Sequence, residues 1–175
     1  MNKKLFSILA VFLLSSLITS TASAGGAVKL SGATFSLGSL AANGTFTGLG
    51  GYIQGVTVEL VATGFPVVTC TNPNGNQAPG QNLPQLSANG EQIVGPQDIT
   101  QKGTALLNVR AEPGPITGTQ GGCPNDNWTA QIDFVFWTNA AISVRDTATG
   151  ALLLKQDFNC TTTRDPDSVS CTAVP

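Results

Sequence analysis

The chain has 175 residues, of which only 10% are charged, and it contains no histidine. The absence of histidine excludes the serine and cysteine nucleophile systems that use a histidine base, and it excludes histidine-ligated zinc and copper sites. The formal net charge of −2 and the lack of any basic cluster argue against nucleic acid as a partner.

Residues 1–24 show the three parts of a secretory signal peptide. Lys3 and Lys4 form a basic start, an apolar run follows, and small residues close the segment at Ala24. The apolar run is too short for a comfortable membrane span, which disfavours an uncleaved anchor. We therefore expect cleavage after Ala24 and a single secreted, extracellular domain of residues 25–175 with no membrane span. Its formal charge is −4, because Lys3 and Lys4 leave with the signal.

The first part of the predicted domain alternates apolar and polar residues with the period of two that β-strands show. An opening strand is expected around Phe35 and Leu37, and Asn43-Gly44 predicts a turn before a short second strand. Residues 54–63 give a clearer strand. Its predicted core face is the set Val56, Val58, Leu60 and Ala62.

The middle of the chain contains two further signals that predict interruptions. Phe65-Pro66 is expected to end one strand before residues 67–71 resume it. Asn89-Gly90 predicts a hairpin turn between two short strands. Residues 104–111 then form another alternating strand, and a Pro-rich irregular connection follows it.

Residues 128–138 give the strongest strand prediction, because a strict alternation runs through them. The predicted core face consists of Trp128, Ala130, Ile132, Phe134 and Phe136. The opposite face is mixed and carries Gln131, Asp133 and Trp137. Asn139 is expected to break this strand.

Three more strands are predicted beyond Asn139, at residues 141–145, 151–160 and 169–173, with a turn at residues 146–150 between the first two. Candidate core residues in the second of these strands are Leu152, Leu154 and Phe158.

No helical period persists for three turns anywhere after the signal peptide. About eight to ten short strands separated by Gly, Asn and Pro turns predict an all-β fold. We expect an antiparallel β-sandwich of immunoglobulin-like or jelly-roll topology. A closed barrel is the alternative, because the number of strands does not separate the two architectures.

Four cysteines follow the signal peptide, namely Cys70, Cys123, Cys160 and Cys171. An even count in an oxidising compartment predicts two disulfides, for which three pairings are possible. We favour Cys70 with Cys123, which joins two loops rich in Asn, Pro and Gly, and Cys160 with Cys171, which closes a hairpin around Pro166. A zinc site is disfavoured, because there is no Cys-x-x-Cys spacing and no histidine.

Sugar binding is the sharpest function that these residues suggest, because aromatic rings flanked by amides and carboxylates suit a polar ligand with apolar faces. The candidate ligand-binding residues are Trp137, Gln131, Asp133, Tyr52, Asn76 and Gln77. In this interpretation Trp137 and Tyr52 would supply the rings, and the others would supply hydrogen bonds. The alternative for Trp137 is burial beneath a loop or the second sheet.

Two other chemistries remain open in the absence of histidine. A pair of carboxylates could hydrolyse a glycosidic bond, although most acidic residues fall in predicted turns or on outward faces, where a solvated charge is expected. A structural calcium ion could bind at residues 125–127 or 165–167, where the alternative is that Asn and Asp cap their own turns. We assign no catalytic residue, no metal and no cofactor.

Two cysteine-containing segments resemble segments of known proteins. They are Val68-Thr-Cys-Thr-Asn-Pro-Asn-Gly-Asn-Gln-Ala-Pro-Gly-Gln-Asn82 and Gly122-Cys-Pro-Asn-Asp-Asn-Trp-Thr-Ala130. In these segments the chain is similar to a group of small secreted bacterial β proteins to which no activity is assigned. The resemblance therefore implies no activity.

The sequence thus predicts a secreted, non-catalytic protein with a structural or binding role at or outside the cell surface, whose partner is a protein or a glycan. The alternatives are a glycan-binding module that uses Trp137 and the loop amides, and a carboxylate-based hydrolase.

Overall fold

The computed structural model describes residues 27–37, 39–164 and 167–175, so the predicted signal peptide and Asp165-Pro166 lie outside the described residues. The described residues form nine strands and one short 3₁₀ turn at Pro96–Asp98. The strands are β1 (Lys29–Ser36), β2 (Leu40–Thr47), β3 (Val56–Thr71), β4 (Gln77–Pro79), β5 (Leu86–Val94), β6 (Ala105–Ala111), β7 (Thr129–Asp146), β8 (Leu152–Arg164) and β9 (Asp167–Ala173). None of the described helical segments has the length and apolar character needed to cross a membrane.

The strands form two antiparallel sheets. The smaller sheet has the order β1-β2-β6. In the larger sheet β3 pairs with β7 on one side and with β4 and β5 on the other, while β8 and β9 follow β7. The predicted all-β fold with two packed sheets is confirmed. Its finer assignment to an immunoglobulin-like or jelly-roll topology stays a prediction.

The hydrophobic core lies between the two sheets. The predicted inward face of β3 is confirmed, because Val56, Val58, Leu60 and Ala62 are all buried. Alternate residues of β6 oppose them from the smaller sheet, namely Ala105, Leu107, Val109 and Ala111. The largest fully buried side chain is that of Trp137.

The pairing of β3 with β7 is the longest ladder of the fold, and it contains two register shifts. At the first shift Val67 pairs with Phe134 and Val68 pairs with Ile132, so Asp133 is an extra residue in β7. At the second shift Thr138 is the extra residue. Each bulge reverses the side of the sheet to which the following residues point, because side chains alternate with a period of two.

These two bulges overturn the predicted core face of β7. Val135 and Trp137 are buried between the bulges, whereas Phe134 and Phe136 occupy the opposite, outer face. After the second bulge the inward positions are Ala140, Ile142 and Val144. The prediction was correct only for the first residues of the strand, because it extended one alternation through both bulges.

Two predicted strand breaks are also wrong. β3 runs through Phe65-Pro66, and β7 runs through Asn139. Pro66 is tolerated because β5 pairs with β3 only as far as Gly64 and the pairing with β4 starts only at Thr69, so β3 has a neighbour on one side alone at Pro66.

Both Asn-Gly dipeptides that predict turns lie inside strands, in β2 and β5. A methyl group on Gly44 would lie 3.1 Å from the carbonyl oxygen of Ser31, and one on Gly90 would overlap the carbonyl oxygen of Arg110. These glycines therefore permit the close approach of another strand and do not make a turn.

The predicted core position of Leu152 is wrong as well, because its side chain is 50% exposed. β8 has a register shift against β7, with Val144 paired to Leu154 and Arg145 paired to Leu152. Leu153 is thus the extra residue, and the shift turns Leu152 outward. Phe158 is buried as predicted.

Both predicted disulfides are confirmed. Cys70 and Cys123 are bonded and lie in a second, smaller core with Val68, against which Trp128 and Leu83 pack. Cys160 and Cys171 are bonded and face each other as direct partners in the ladder of β8 and β9.

A side chain closes the gap between the two sheets at the β5 and β6 edges. Between these strands the backbone makes one isolated bridge, from Asn89 to Glu112. Farther along, the Gln92 Nε2 donates to the Leu106 carbonyl oxygen at 3.1 Å, and the Gln92 Oε1 accepts from the Asn108 N–H at 2.8 Å. The amide of Gln92 thus takes the place of a peptide group of a neighbouring strand.

We expect Gly90→Ala to lower the free energy of unfolding by about 3 kcal/mol, because the added methyl group forces β5 away from the backbone of β6. Urea denaturation of the oxidised protein measures this change. The control is Gly114→Ala, where no atom lies within 4 Å of the added group; it should change stability by less than about 0.5 kcal/mol. Equal effects of the two substitutions would contradict the steric explanation.

We expect Gln92→Leu to destabilise the fold by about 1 kcal/mol, since two hydrogen bonds to β6 are lost while water can still reach the exposed partners. Hydrogen exchange should locate the effect, with faster exchange of the Asn108 amide. Gln101→Leu is the matched control, because Gln101 is exposed and its side chain makes no hydrogen bond within the described residues. Unchanged protection of Asn108 in Gln92→Leu would refute the bridging role.

Candidate ligand-binding surface

The outer face of the larger sheet carries a group of apolar side chains, which we call the aromatic patch: Phe65, Val67, Phe134 and Phe136. Phe65 pairs across the strands with Phe136, and Val67 pairs with Phe134. Direct antiparallel partners project to the same face. Phe65 is 50% exposed, and the rings of Phe134 and Phe136 lie 5.0 Å apart in an edge-to-face arrangement. The patch is thus a rigid, partly exposed aromatic surface held by two paired strands.

A cation borders this patch. The Arg164 guanidinium carbon lies 5.9 Å from the centroid of the Phe134 ring, within the range of a cation–π contact. Arg164 is exposed and forms no ion pair with an acidic side chain of the described residues. The ion pair found among them joins Lys155 to Asp157. The guanidinium therefore keeps N–H groups available beside the aromatic ring.

Polar side chains flank one end of the patch. The Thr69 hydroxyl donates to Asp133 Oδ2 at 2.6 Å, and Thr69 pairs with Gln131 in the ladder. Gln131 is exposed, and its side chain makes no hydrogen bond within the part of the chain that the structure describes. Because Asp133 is the extra residue of a bulge, its carboxylate and the ring of Phe134 share the outer face although they are adjacent in sequence.

A shallow depression of about 250 Å³ lies beyond the other end of the patch, and we call it the amide depression. Most of its lining surface is apolar and comes from Val61, Ala140, Ala141, Phe158 and Val174; its polar side chains are those of Thr63, Asn139, Asp157 and Asn159. Asn139 Nδ2 donates to Asn159 Oδ1 at 3.3 Å. The second bulge separates this depression from Phe136, so the aromatic patch and the amide depression follow each other along β3 and β7.

The structure places the candidate ligand-binding residues in separate parts of the molecule. Trp137 is 1% exposed and lies in the core, so it offers no surface for stacking. Its indole N–H has no acceptor among the described residues. Gln131 and Asp133 are exposed on the outer face as predicted. Tyr52 is 81% exposed, but it precedes β3 and therefore lies at the end of the sheet opposite to that of Gln131.

The predicted loop amides lie near the first disulfide. The backbone N–H groups of Asn74 and Asn76 both donate to Asn72 Oδ1, and Gln77 Nε2 donates weakly to Thr71 Oγ1 at 3.4 Å. Asn72 thus caps its own turn. Asn76 and Gln77 remain exposed, and Gln77 pairs with Thr71, one strand away from β7.

Acidic side chains stabilise turns elsewhere in the molecule. The Thr119 hydroxyl and then its backbone N–H lower the pKa of Asp126 by donating hydrogen bonds to Oδ1 at 2.7 and 2.8 Å. The backbone N–H and hydroxyl of Thr149 lower the pKa of Asp146 in the same way. The described residues contain no group of three or more His, Cys, Asp or Glu side chains placed to hold a metal ion.

Sequence reasoning missed Phe65, Phe134, Phe136 and Arg164 as surface residues. Phe65 precedes a proline that predicts a strand break. Phe134 and Phe136 fall on the predicted core face of a strand that was expected to have no bulge. The outward direction of Phe134 and Phe136 follows from the first bulge, which no local pattern signals, whereas that of Phe65 follows from the uninterrupted alternation of β3. Arg164 reaches Phe134 only because β8 folds back beside β7.

No family model matches this chain, and no curated protein matches it. Among solved structures, the chain is similar to a Bacteroides uniformis beta-glucuronidase with a TM-score of 0.26 and 15% identity. The match covers 77% of this chain but only 12% of that protein. At this TM-score the similarity carries no argument about fold or activity.

We expect Asp146→Asn to lower the thermal midpoint at about pH 6 and to have a smaller effect at about pH 2.5. Hydrogen bonds from Thr149 hold the folded-state pKa of Asp146 below the ordinary aspartate value of 3.8. The ionised carboxylate therefore stabilises the fold above pH 3.8, and this contribution is lost as the pH falls through the lowered folded-state pKa. Thermal unfolding followed by circular dichroism measures it.

Glu112→Gln is the control for this comparison, because Glu112 is exposed, its carboxylate accepts no hydrogen bond within the described residues, and its cross-strand partner is the uncharged Asn89. Its substitution should leave the midpoint nearly unchanged at both pH values. A constant difference between wild type and Asp146→Asn across the pH range would show that the ionised form contributes nothing.

Proposed function

We propose that this protein is a secreted, non-catalytic binding protein that acts at or outside the cell surface and holds its partner against the outer face of the larger sheet. The observation that carries this proposal is the aromatic patch. Three phenylalanine rings lie together on the sheet face that points away from the core, and the side chain of Phe65 is half exposed there. Contiguous apolar patches with polar borders mark interaction sites on soluble proteins, whereas apolar residues exposed singly are ordinary.

Two disulfides support the proposal that the protein works outside the cytoplasm, where such bonds form and persist. The signal-peptide pattern of residues 1–24 points to the same compartment. The resemblance of the two cysteine-containing segments to secreted bacterial proteins agrees with this location and stays an expectation.

The carboxylate hydrolase gains no support from the acidic groups whose pKa is shifted. Hydrogen bonds lower the pKa of Asp126 and that of Asp146, whereas the general acid of a glycosidase needs a raised pKa. Asp133, the acid beside the aromatic patch, accepts a hydrogen bond from Thr69 and is exposed. An exposed carboxylate that accepts hydrogen bonds beside an aromatic patch suits a binding role.

The proposal is tested by co-sedimentation of the oxidised mature protein with whole cells of the producing strain. We expect the wild type to sediment with the cells. Phe65→Thr and Phe136→Thr should each reduce the bound fraction about tenfold, because each removes a ring from the contact surface. Thr keeps the strand propensity of both positions.

Leu106→Thr is the matched control, since Leu106 is 72% exposed on the smaller sheet, away from the aromatic patch. It should bind as the wild type does. The proposed function is wrong if the wild type does not sediment with the cells, or if both patch variants, shown to be folded by thermal unfolding, sediment as the wild type does.

A further inference from the structure

We propose that the ligand of this surface is a neutral polysaccharide chain that lies along β3 and β7. This inference rests on the proposed function and specifies its ligand. It follows from three properties of the outer face: the order of its aromatic and polar groups, its length, and its charge.

The order of groups suits a chain of sugar units. Along β3 and β7 the outer face presents Gln131 and Asp133 first, then the aromatic patch, then the amide depression. Sugar rings have apolar faces that pack on aromatic rings and hydroxyl groups that exchange hydrogen bonds with amides and carboxylates. Stacking in the middle with hydrogen bonding at both ends is therefore complementary to an oligosaccharide.

The surface is long and narrow. From Thr69 to Val61 it extends over eight residue steps of β3, or roughly 26 Å at the rise of a β-strand. Its apolar part is only two strands wide, with the rings of Phe65 and Phe136 on neighbouring strands. A compact protein partner needs about 800 Å² on each side with a fully buried centre. A linear chain needs only a narrow track, which this face provides.

The charge of the surface favours a neutral chain. Asp133 and Asp157 lie at its two ends, and Arg164 stands beside Phe134. Lys155 contacts Asp157 at 3.6 Å and offsets its charge. With a formal charge of −4 on the predicted mature protein, an acidic polysaccharide would be repelled at long range. Asp133 would accept hydrogen bonds from sugar hydroxyls, as it accepts one from Thr69.

The polar ends of the track have a defined role in this proposal. Asn139 and Asn159 hold each other by one hydrogen bond, which leaves the second N–H of Asn139 and the amide N–H groups of Asn159 for a ligand. Gln131 is free of side-chain partners within the described residues. Gln131→Ala and Asn159→Ala should therefore weaken binding about threefold to tenfold each, without affecting the aromatic patch.

The test is competition for the binding of the mature protein to cells. The competitor is the carbohydrate fraction of the same cells after exhaustive protease digestion, separated on an anion exchanger into neutral and acidic parts. We expect the neutral part to inhibit binding. The same part after periodate oxidation, which cleaves vicinal diols, should not inhibit. Gln131→Ala and Asn159→Ala should need correspondingly more cells for half-maximal binding.

Failure of this inference is distinguishable from failure of the proposed function. If the wild type binds cells through the aromatic patch but no carbohydrate fraction competes, or only the acidic part does, the polysaccharide proposal is overturned and the binding function stands. Loss of cell binding after protease treatment of the cells, with no competition by the neutral part, identifies a protein ligand. If the wild type binds no cells at all, the proposed function itself fails.

Discussion

The ladder between β3 and β7 is the constraint on which the rest of the fold depends. It joins the two strands over nearly their whole length; β4 and β5 are added to β3, β8 is added to β7, and β9 is added to β8. The two extra residues of β7 divide the ladder into three segments. The inward-pointing residues of β7 are even-numbered in the first segment, odd-numbered in the second and even-numbered again in the third. Trp137 enters the core and Phe136 leaves it because of these bulges. Core and candidate binding surface thus have one common cause.

The parts of the fold that could be predicted are those that depend on neighbours in sequence. The inward face of β3 at residues 56–62 and that of β6 follow from a period of two that nothing interrupts. The cysteine pairings could be chosen from three possibilities because Cys160 and Cys171 are close in sequence, which leaves Cys70 to pair with Cys123. The bulges at Asp133 and Thr138 could not be predicted, because an extra residue is defined only against its partner strand.

The glycines show the same limit. Asn43-Gly44 and Asn89-Gly90 have the composition of hairpin turns, yet another backbone passes close to each glycine: it leaves little room for a side chain at Gly44 and none at Gly90. Glycine is favoured in hairpin turns for its backbone conformation, and at these two positions for its lack of a side chain. Of the candidate site, Gln131 and Asp133 could be recognised as polar residues in an apolar strand. The rings of Phe134 and Phe136 could not, since their side of the sheet is set by the bulge at Asp133.

The edges of the two sheets have a consequence for how copies of this protein behave together. β5 is turned towards β6 and bridged to it through Gln92, β1 lies against β9, and the Cys160–Cys171 bond ties β9 to β8. An open strand edge is a template for pairing with another chain. Only 10% of the residues are charged, so few charged side chains are available to block these edges. Protection of the edges therefore depends more on the path of the backbone than on charged side chains.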